Sequence, residues 1–207
     1  MKTLNEAKIY WVYDYQLSQK LDAENCIFRE LMESNYIDIV QFRAKNISLS
    51  QYLRWSESLL KVLPNNNSLI LANDFCESVA ILGLDGVHVG QNDLSLEEVR
   101  AMLGTKVIGA TARSIEVALE ADKVADYIGA GTVFETTTKE GLNPAGPEFI
   151  KDLSSKVQCP VFPIGGIDSS NVDQLTQLGI NKAAVASCLL KSTDPLQELM
   201  NLSKALT

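Results

Sequence analysis

Eight short, β-rich apolar runs recur along the chain, and the stretch after each is long enough for a helix. This rhythm constrains the fold more than any other feature. The runs are Ile9 to Tyr13, Tyr36 to Arg43, Ser68 to Asp74, Gly86 to Gly90, Lys106 to Thr111, Tyr127 to Phe134, Pro160 to Gly166 and Lys182 to Ser187. Their starts lie about 20 to 33 residues apart, which suits βα units rather than hairpins. Helix signals fill the gaps. Ser48-x-x-Gln51 and Ser95-x-x-Glu98 are capping-box patterns ahead of Leu49 to Leu63 and of the face formed by Leu96, Val99, Met102 and Leu103. Ser114 precedes Ile115, Val117, Ala118 and Ala121. Asp168 precedes Val172, Leu175 and Leu178, with Gly179 as a stop, and Pro195 opens the last helix.

Eight such units predict an α/β chain folded as a single (β/α)8 TIM barrel over residues 1–207, near the minimum length for that architecture. A doubly wound open sheet is the competing arrangement. In a barrel the chemistry sits at the C-terminal strand ends, so polar residues should gather there. They do. In Ile39-Val40-Gln41-Phe42-Arg43-Ala44-Lys45, strand alternation turns Gln41 and Arg43 inward, with Val40 and Phe42 toward the helices. An interior Arg needs an anionic partner, either a structural carboxylate or a bound phosphate. Lys45 lies just beyond, within reach of the same anion.

The third run ends in Asn73-Asp74, which reads either as an N-cap or as part of a site. Asp93 follows the fourth run at the same rim. Two carboxylates on adjacent loops can share a hard cation such as Mg²⁺, which takes one or two protein carboxylates plus waters and phosphates. Asp93 also precedes a helix, so capping is open for it too. His88 is the only histidine. A His-based triad or multi-His metal site is thereby excluded, and alternation makes His88 a hydrogen-bonded interior residue. After the sixth run, Thr136-Thr137-Thr138-Lys139 could cradle an anion on a lid, or form a solvated polar loop, between Glu135 and Ala145. Gly165-Gly166 and Ala186-Ser187, after the last two strands, suit a barrel phosphate site. There the backbone can approach the phosphate and a helix N-terminus supplies N–H donors.

Charge limits the partners. Lys and Arg number 18 against 26 Asp and Glu, and no basic cluster occurs, so nucleic acid is not expected as a partner. No apolar run approaches the roughly 18–20 residues that span a bilayer. The first strand-like run begins near Lys8, which leaves no room for a secretory leader. Cys26, Cys76, Cys159 and Cys188 form no CxxC pair and read as reduced thiols, so a cytoplasmic protein is expected. A homo-oligomer is compatible with the sequence, which does not specify one.

Taken together, these stretches resemble the thiamine phosphate synthase family, within the wider group of phosphate-binding barrels. The likeness runs from about Tyr10 to Ser187 in order and spacing. It rests on Val40-Gln41-Phe42-Arg43-x-Lys45, Asn73-Asp74, Asp85-Gly86-Val87-His88-Val89-Gly90-Gln91-x-Asp93, Gly109-Ala110-Thr111, Thr136-Thr137-Thr138-Lys139, Gly165-Gly166 and Ala186-Ser187. The resemblance implies an enzyme, a transferase that joins a hydroxymethylpyrimidine diphosphate to a thiazole phosphate, or its carboxylate. Diphosphate leaves and thiamine phosphate forms. By the same resemblance, Gln41, Arg43, Lys45, Asn73 and Lys139 hold the pyrimidine diphosphate. Asp74 and Asp93 coordinate Mg²⁺, and Thr111 stands near the leaving diphosphate. The thiazole substrate falls to Thr136 and Thr138, with Thr137 between them, and its phosphate to Gly166, Ala186 and Ser187. Arg43, Lys45, Thr111 and Lys139 carry the catalysis.

The chain departs from the family pattern at several points. Ala44 replaces the usual Glu between Arg and Lys, Thr111 replaces Ser, and Arg113 stands where many relatives carry His. Thr132 and Glu135 replace prolines. Val133-Phe134-Glu135-Thr136 with Lys139-x-Gly141-Leu142 looks like the related thiazole tautomerase branch. That branch uses a His at the position of Arg113 and tends to lack the Asn-Asp and Gln-x-Asp pattern kept here. A metal-independent isomerase is therefore the alternative activity, and a non-catalytic phosphate-ligand-binding barrel is the third reading.

Overall fold

The computed structural model describes residues 3–65, 67–136 and 143–207. The strands are β1 (Ile9–Asp14), β2 (Ile39–Arg43), β3 (Leu69–Asn73), β4 (Gly86–Val89), β5 (Val107–Ala112), β6 (Tyr127–Gly131), β7 (Val161–Ile164) and β8 (Ala183–Val185). They close into a parallel barrel in chain order. β1 pairs with both β2 and β8, so the competing open sheet is excluded. The helices are α1 (Tyr15–Leu21), α2 (Cys26–Glu33), α3 (Leu49–Val62), α4 (Cys76–Leu82), α5 (Leu96–Leu103), α6 (Ile115–Ala121), α7 (Gly146–Ser154), α8 (Asp173–Thr176), α9 (Ser187–Lys191) and α10 (Pro195–Ala205). Among the described residues, no helix is long and apolar enough to cross a membrane.

Strand alternation divides the buried side chains into two layers. Tyr10, Val12, Ile39, Leu71, Tyr127 and Phe162 pack with one another inside the barrel. Their neighbours Trp11, Tyr13, Val40 and Phe42 face outward and meet Phe28 and Trp55 of the helices. Fully burying a side chain of this size stabilises by roughly 1.5–3 kcal/mol. The opposite rim from the site is stitched by a repeated device. Asp38, Asp85 and Asp126 each precede an even-numbered strand, and each accepts a strand N–H from the neighbour before it, at Ile9 (3.1 Å), Ile70 (2.8 Å) and Ile108 (2.8 Å). Bonds of this kind to a charged group contribute about 1.5–3 kcal/mol.

Both expected capping boxes form. Ser48 with Gln51 opens α3, and Ser95 with Glu98 opens α5. Ser114 caps α6, and Pro195 begins α10 behind an Asp194 cap. The helix expected after Asp168 shrinks to the single turn of α8. The residues before it hydrogen-bond locally instead: Asp168 accepts from Ser170 N–H (2.9 Å) and hydroxyl (2.6 Å), and the Asn171 side chain accepts from Asp168 N–H (3.1 Å). Such bonds compete with helical ones. The strand runs also stop earlier than their apolar patterns. β6 ends at Gly131, and β7 ends where Gly165 and Gly166 take φ of 108° and 67°. Ser187, expected to end the eighth strand, is the first residue of α9.

Candidate active site

A cavity of about 830 Å³ opens at the C-terminal ends of the strands. Its wall includes Gln41, Arg43, Lys45, Asn73, Asp74, Asp93, Thr111, Thr136, Gly166, Ala186 and Ser187. Seven separate strand ends, those of β2 to β8, thus bring the sequence-derived candidates to one place. Thr137, Thr138 and Lys139 lie outside the described residues.

Arg43 and Lys45 are both paired with carboxylates. The Arg43 guanidinium bonds Asp14 through one terminal nitrogen, and Lys45 bonds Asp74. Of the two partners that the sequence left open for Arg43, the structure supplies a carboxylate. Asp14 is a residue that sequence reasoning missed. It closes β1, and its other oxygen caps α1 by accepting from Leu17 N–H at 3.1 Å. Its place at a strand end on the same rim was the available signal. The pairing occupies a single Arg43 nitrogen. A guanidinium carries five donors in a fixed fork, and the rest have no partner among the described residues.

The capping alternatives for the acids fall away. α4 has no side-chain cap, so neither Asn73 nor Asp74 serves it. Asp74 instead sits at φ 62°, a left-handed conformation that costs a non-glycine residue strain. Ser95 caps α5, while Asp93 ties its own turn by accepting Gly90 N–H at 2.8 Å. The Asp74 and Asp93 carboxyls face each other closely enough to interact. Burial pushes Asp74 above the usual carboxylate range, Asp93 adds to that, and Lys45 pulls the other way. A divalent cation between the two acids would relieve that repulsion, so the residues fit one. Among the described residues, no cluster of three or more His, Cys, Asp or Glu forms a complete cage. Beside this pair, the Asn73 side-chain amide nitrogen is buried with no hydrogen-bond partner among the described residues, although Asn73 lines the cavity.

Gln41 lies one layer below Arg43. Its amide donates to the Tyr10 hydroxyl at 2.7 Å. His88 is interior and hydrogen-bonded, as alternation predicted. Its Nε2 lies 2.9 Å from the Thr111 hydroxyl and its Nδ1 3.0 Å from the Tyr127 hydroxyl.

The glycine pair does something other than simply clearing room for a ligand. A Cβ on Gly166 would sit 2.3 Å from the Glu135 carbonyl, and one on Gly165 would sit 2.9 Å from Thr132 Cα. These glycines let the segment after β6 lie flat on the end of β7, with Phe134 N–H bonded to the Gly165 carbonyl at 2.9 Å. No side chain caps α9, and its first turn lines the cavity. Arg113 also lines the cavity, is exposed, and makes no ion pair among the described residues.

Comparison with known proteins places this geometry. The family described as "Thiamine monophosphate synthase" matches residues 9–189. The thiamine-phosphate synthase of Fusobacterium nucleatum is 35% identical over 203 residues, covering 97% of this chain and 98% of that protein. That of Clostridioides difficile is 36% identical over 194 residues, with 93% and 91% covered. The solved structure of thiamine phosphate pyrophosphorylase from Pyrococcus furiosus superposes with a TM-score of 0.85 at 29% identity, covering 98% of this chain and 96% of that one.

Proposed function

Because the chain belongs to the thiamine monophosphate synthase family and its activity is thiamine phosphate formation, we propose a division of labour among its residues. The observation that carries this reading is the convergence, in one cavity, of the facing Asp74–Asp93 pair, the cations Arg43 and Lys45, and the small-residue rim at Gly166, Ala186 and Ser187.

The substrates are a pyrimidine diphosphate and a thiazole phosphate. The bond from the exocyclic methylene carbon to the diphosphate oxygen breaks, and its electron pair leaves with the diphosphate. The thiazole nitrogen then donates its lone pair to that carbon, which closes the new C–N bond. Asp74 and Asp93 would hold Mg²⁺, a cation that takes one or two protein carboxylates. When bound there, it would supply Lewis-acid stabilisation of the negative charge on the leaving group. Lys45, partly exposed at the same rim, adds its ammonium to the diphosphate. Arg43 adds its free donors while Asp14 holds its orientation. Asn73 donates its orphaned amide N–H, which accounts for a buried polar group left unpartnered among the described residues. Thr111 donates to the diphosphate, and Lys139 contributes a further positive charge to its binding.

At the other end, the uncapped first turn of α9 and the Gly166 backbone take the thiazole phosphate, with Thr136 and Thr138 beside the ring. Holding both reactants in register makes the second step effectively intramolecular. No protein nucleophile is needed. The four free cysteines support a reducing, cytoplasmic setting. The test is a coupling assay with both phosphorylated halves. Thiamine phosphate and diphosphate should appear in equal amounts with Mg²⁺ and stop with EDTA. EDTA-resistant turnover removes the metal from the reading, and isomerisation of the thiazole without coupling would favour the tautomerase alternative.

A further inference from the structure

Five side chains from five strands form one continuous hydrogen-bonded line beneath the cavity. The Gln41 amide nitrogen meets the Tyr10 hydroxyl at 2.7 Å, which meets the Tyr127 hydroxyl at 2.8 Å. The Tyr127 hydroxyl meets His88 Nδ1 at 3.0 Å, and His88 Nε2 meets the Thr111 hydroxyl at 2.9 Å. Distances alone leave the proton positions open at four of the five members, since a hydroxyl or a neutral imidazole can point either way. The first member does not share that freedom, because an amide nitrogen only donates. Gln41 cannot receive the Tyr10 proton, so among the described partners that proton turns to the Tyr127 oxygen. The Tyr127 proton then turns to Nδ1 of His88, which leaves the ring proton on Nε2. That proton goes to the Thr111 oxygen, and the Thr111 proton is left to point at the cavity.

We infer that His88 is a positioning residue: together with Tyr127 it fixes the Thr111 hydroxyl as a proton donor toward the anion in the cavity. Two independent features show that space has been made for this line. A Cβ on Gly109 would lie 2.0 Å from the Tyr127 ring, and a Cβ on Gly129 would lie 3.0 Å from His88 Cε1, so two strands give up side chains to seat the two rings. Burial also keeps both phenols protonated, and so able to donate, far beyond neutral pH. Tyr127 is fully buried and is not part of the cavity wall, so any effect it has on turnover passes through its neighbours.

The inference rests on Thr111 contacting the leaving anion, and two measurements separate it from that reading. His88 is the only histidine, so its ring nitrogens are unambiguous in ¹⁵N NMR of the labelled free chain. The expected spectrum has a pyridine-like Nδ1 and a pyrrole-like, protonated Nε2. The opposite tautomer, or a doubly protonated ring, overturns the polarity whatever the protein catalyses. The second measurement is a double-mutant cycle, the clean way to apportion a network. Tyr127→Phe should lower kcat by about ten- to a hundredfold, the usual scale for an outer partner, with KM for both substrates unchanged. In a Thr111→Val background the same change should do nothing further. Equal losses in both backgrounds mean that Tyr127 is merely structural, and the inference fails.

Discussion

Asp74→Asn separates a residue kept for chemistry from one kept for the fold, because the two quantities move differently. On the stability side, the substitution breaks the ion pair with Lys45, whose side chain is 45% exposed. Pairs of that kind contribute about 0.2–1 kcal/mol. Against this loss, the change removes a carboxylate that burial and Asp93 both disfavour. The two terms oppose each other at similar size, so the net effect stays within about 1 kcal/mol, or roughly 2–4 °C of Tm for a chain of this length. On the activity side, under the proposed function the variant loses one of two anionic ligands for the proposed cation at the leaving diphosphate. A lost electrostatic contributor in such a site costs about 2.7–4 kcal/mol, or about 10²–10³ in kcat. The assays are thermal unfolding and a Mg²⁺ titration of thiamine phosphate production, run on the same preparation. The variant should unfold within a few degrees of the parent and turn over at least about a hundredfold more slowly at every Mg²⁺ concentration. A collapse in Tm, or near-normal turnover at saturating Mg²⁺, would refute the reasoning.

Three other outcomes follow from the same geometry. Asn73→Leu removes a buried amide nitrogen that bonds nothing among the described residues. Urea unfolding should therefore show little or no destabilisation, while KM for the pyrimidine diphosphate rises. Gly165→Ala places a Cβ 2.9 Å from Thr132 Cα at φ 108°, which should destabilise by about 1–3 kcal/mol in urea melts. Burial pushes the Cys188 thiol up to about 12, so its folded value lies above the unfolded one. The stability tied to the neutral thiol is complete below the ordinary thiol range and is lost as pH climbs toward 12. Urea melts between those limits should lose stability, and Cys188→Ala should flatten the slope by about 1.4 kcal/mol per pH unit.

The barrel was legible because its signals are local and redundant. The inward turn of Gln41 and His88 follows from period-two alternation, which a strand cannot evade. The caps at Ser48, Ser95 and Ser114 need only residues within one helical turn. The site was legible as a set of residues at strand ends, but its pairings were not. Asp14 and Arg43 are 29 positions apart, and nothing in either run says that one will neutralise the other. The Asp168-to-Asn171 stretch misled because Asp, Ser and Asn signal a helix start and a self-bonded turn with the same side chains. The line from Gln41 to Thr111 crosses the barrel interior, where contacts depend on closure rather than on any short motif. Gly165 and Gly166 signal close backbone approach at the cavity, but the sequence does not show that the approaching backbone is the chain's own segment after β6.

The most direct measurement is a crystal structure of the chain grown with Mg²⁺ and diphosphate. Arg43 should reach the diphosphate with the donors that Asp14 leaves free. One Mg²⁺ should lie about 2.0–2.1 Å from an oxygen of Asp74 and an oxygen of Asp93, bridged to the same diphosphate. A diphosphate seated away from Arg43 and Lys45, or a cation that ignores both aspartates, would contradict the account.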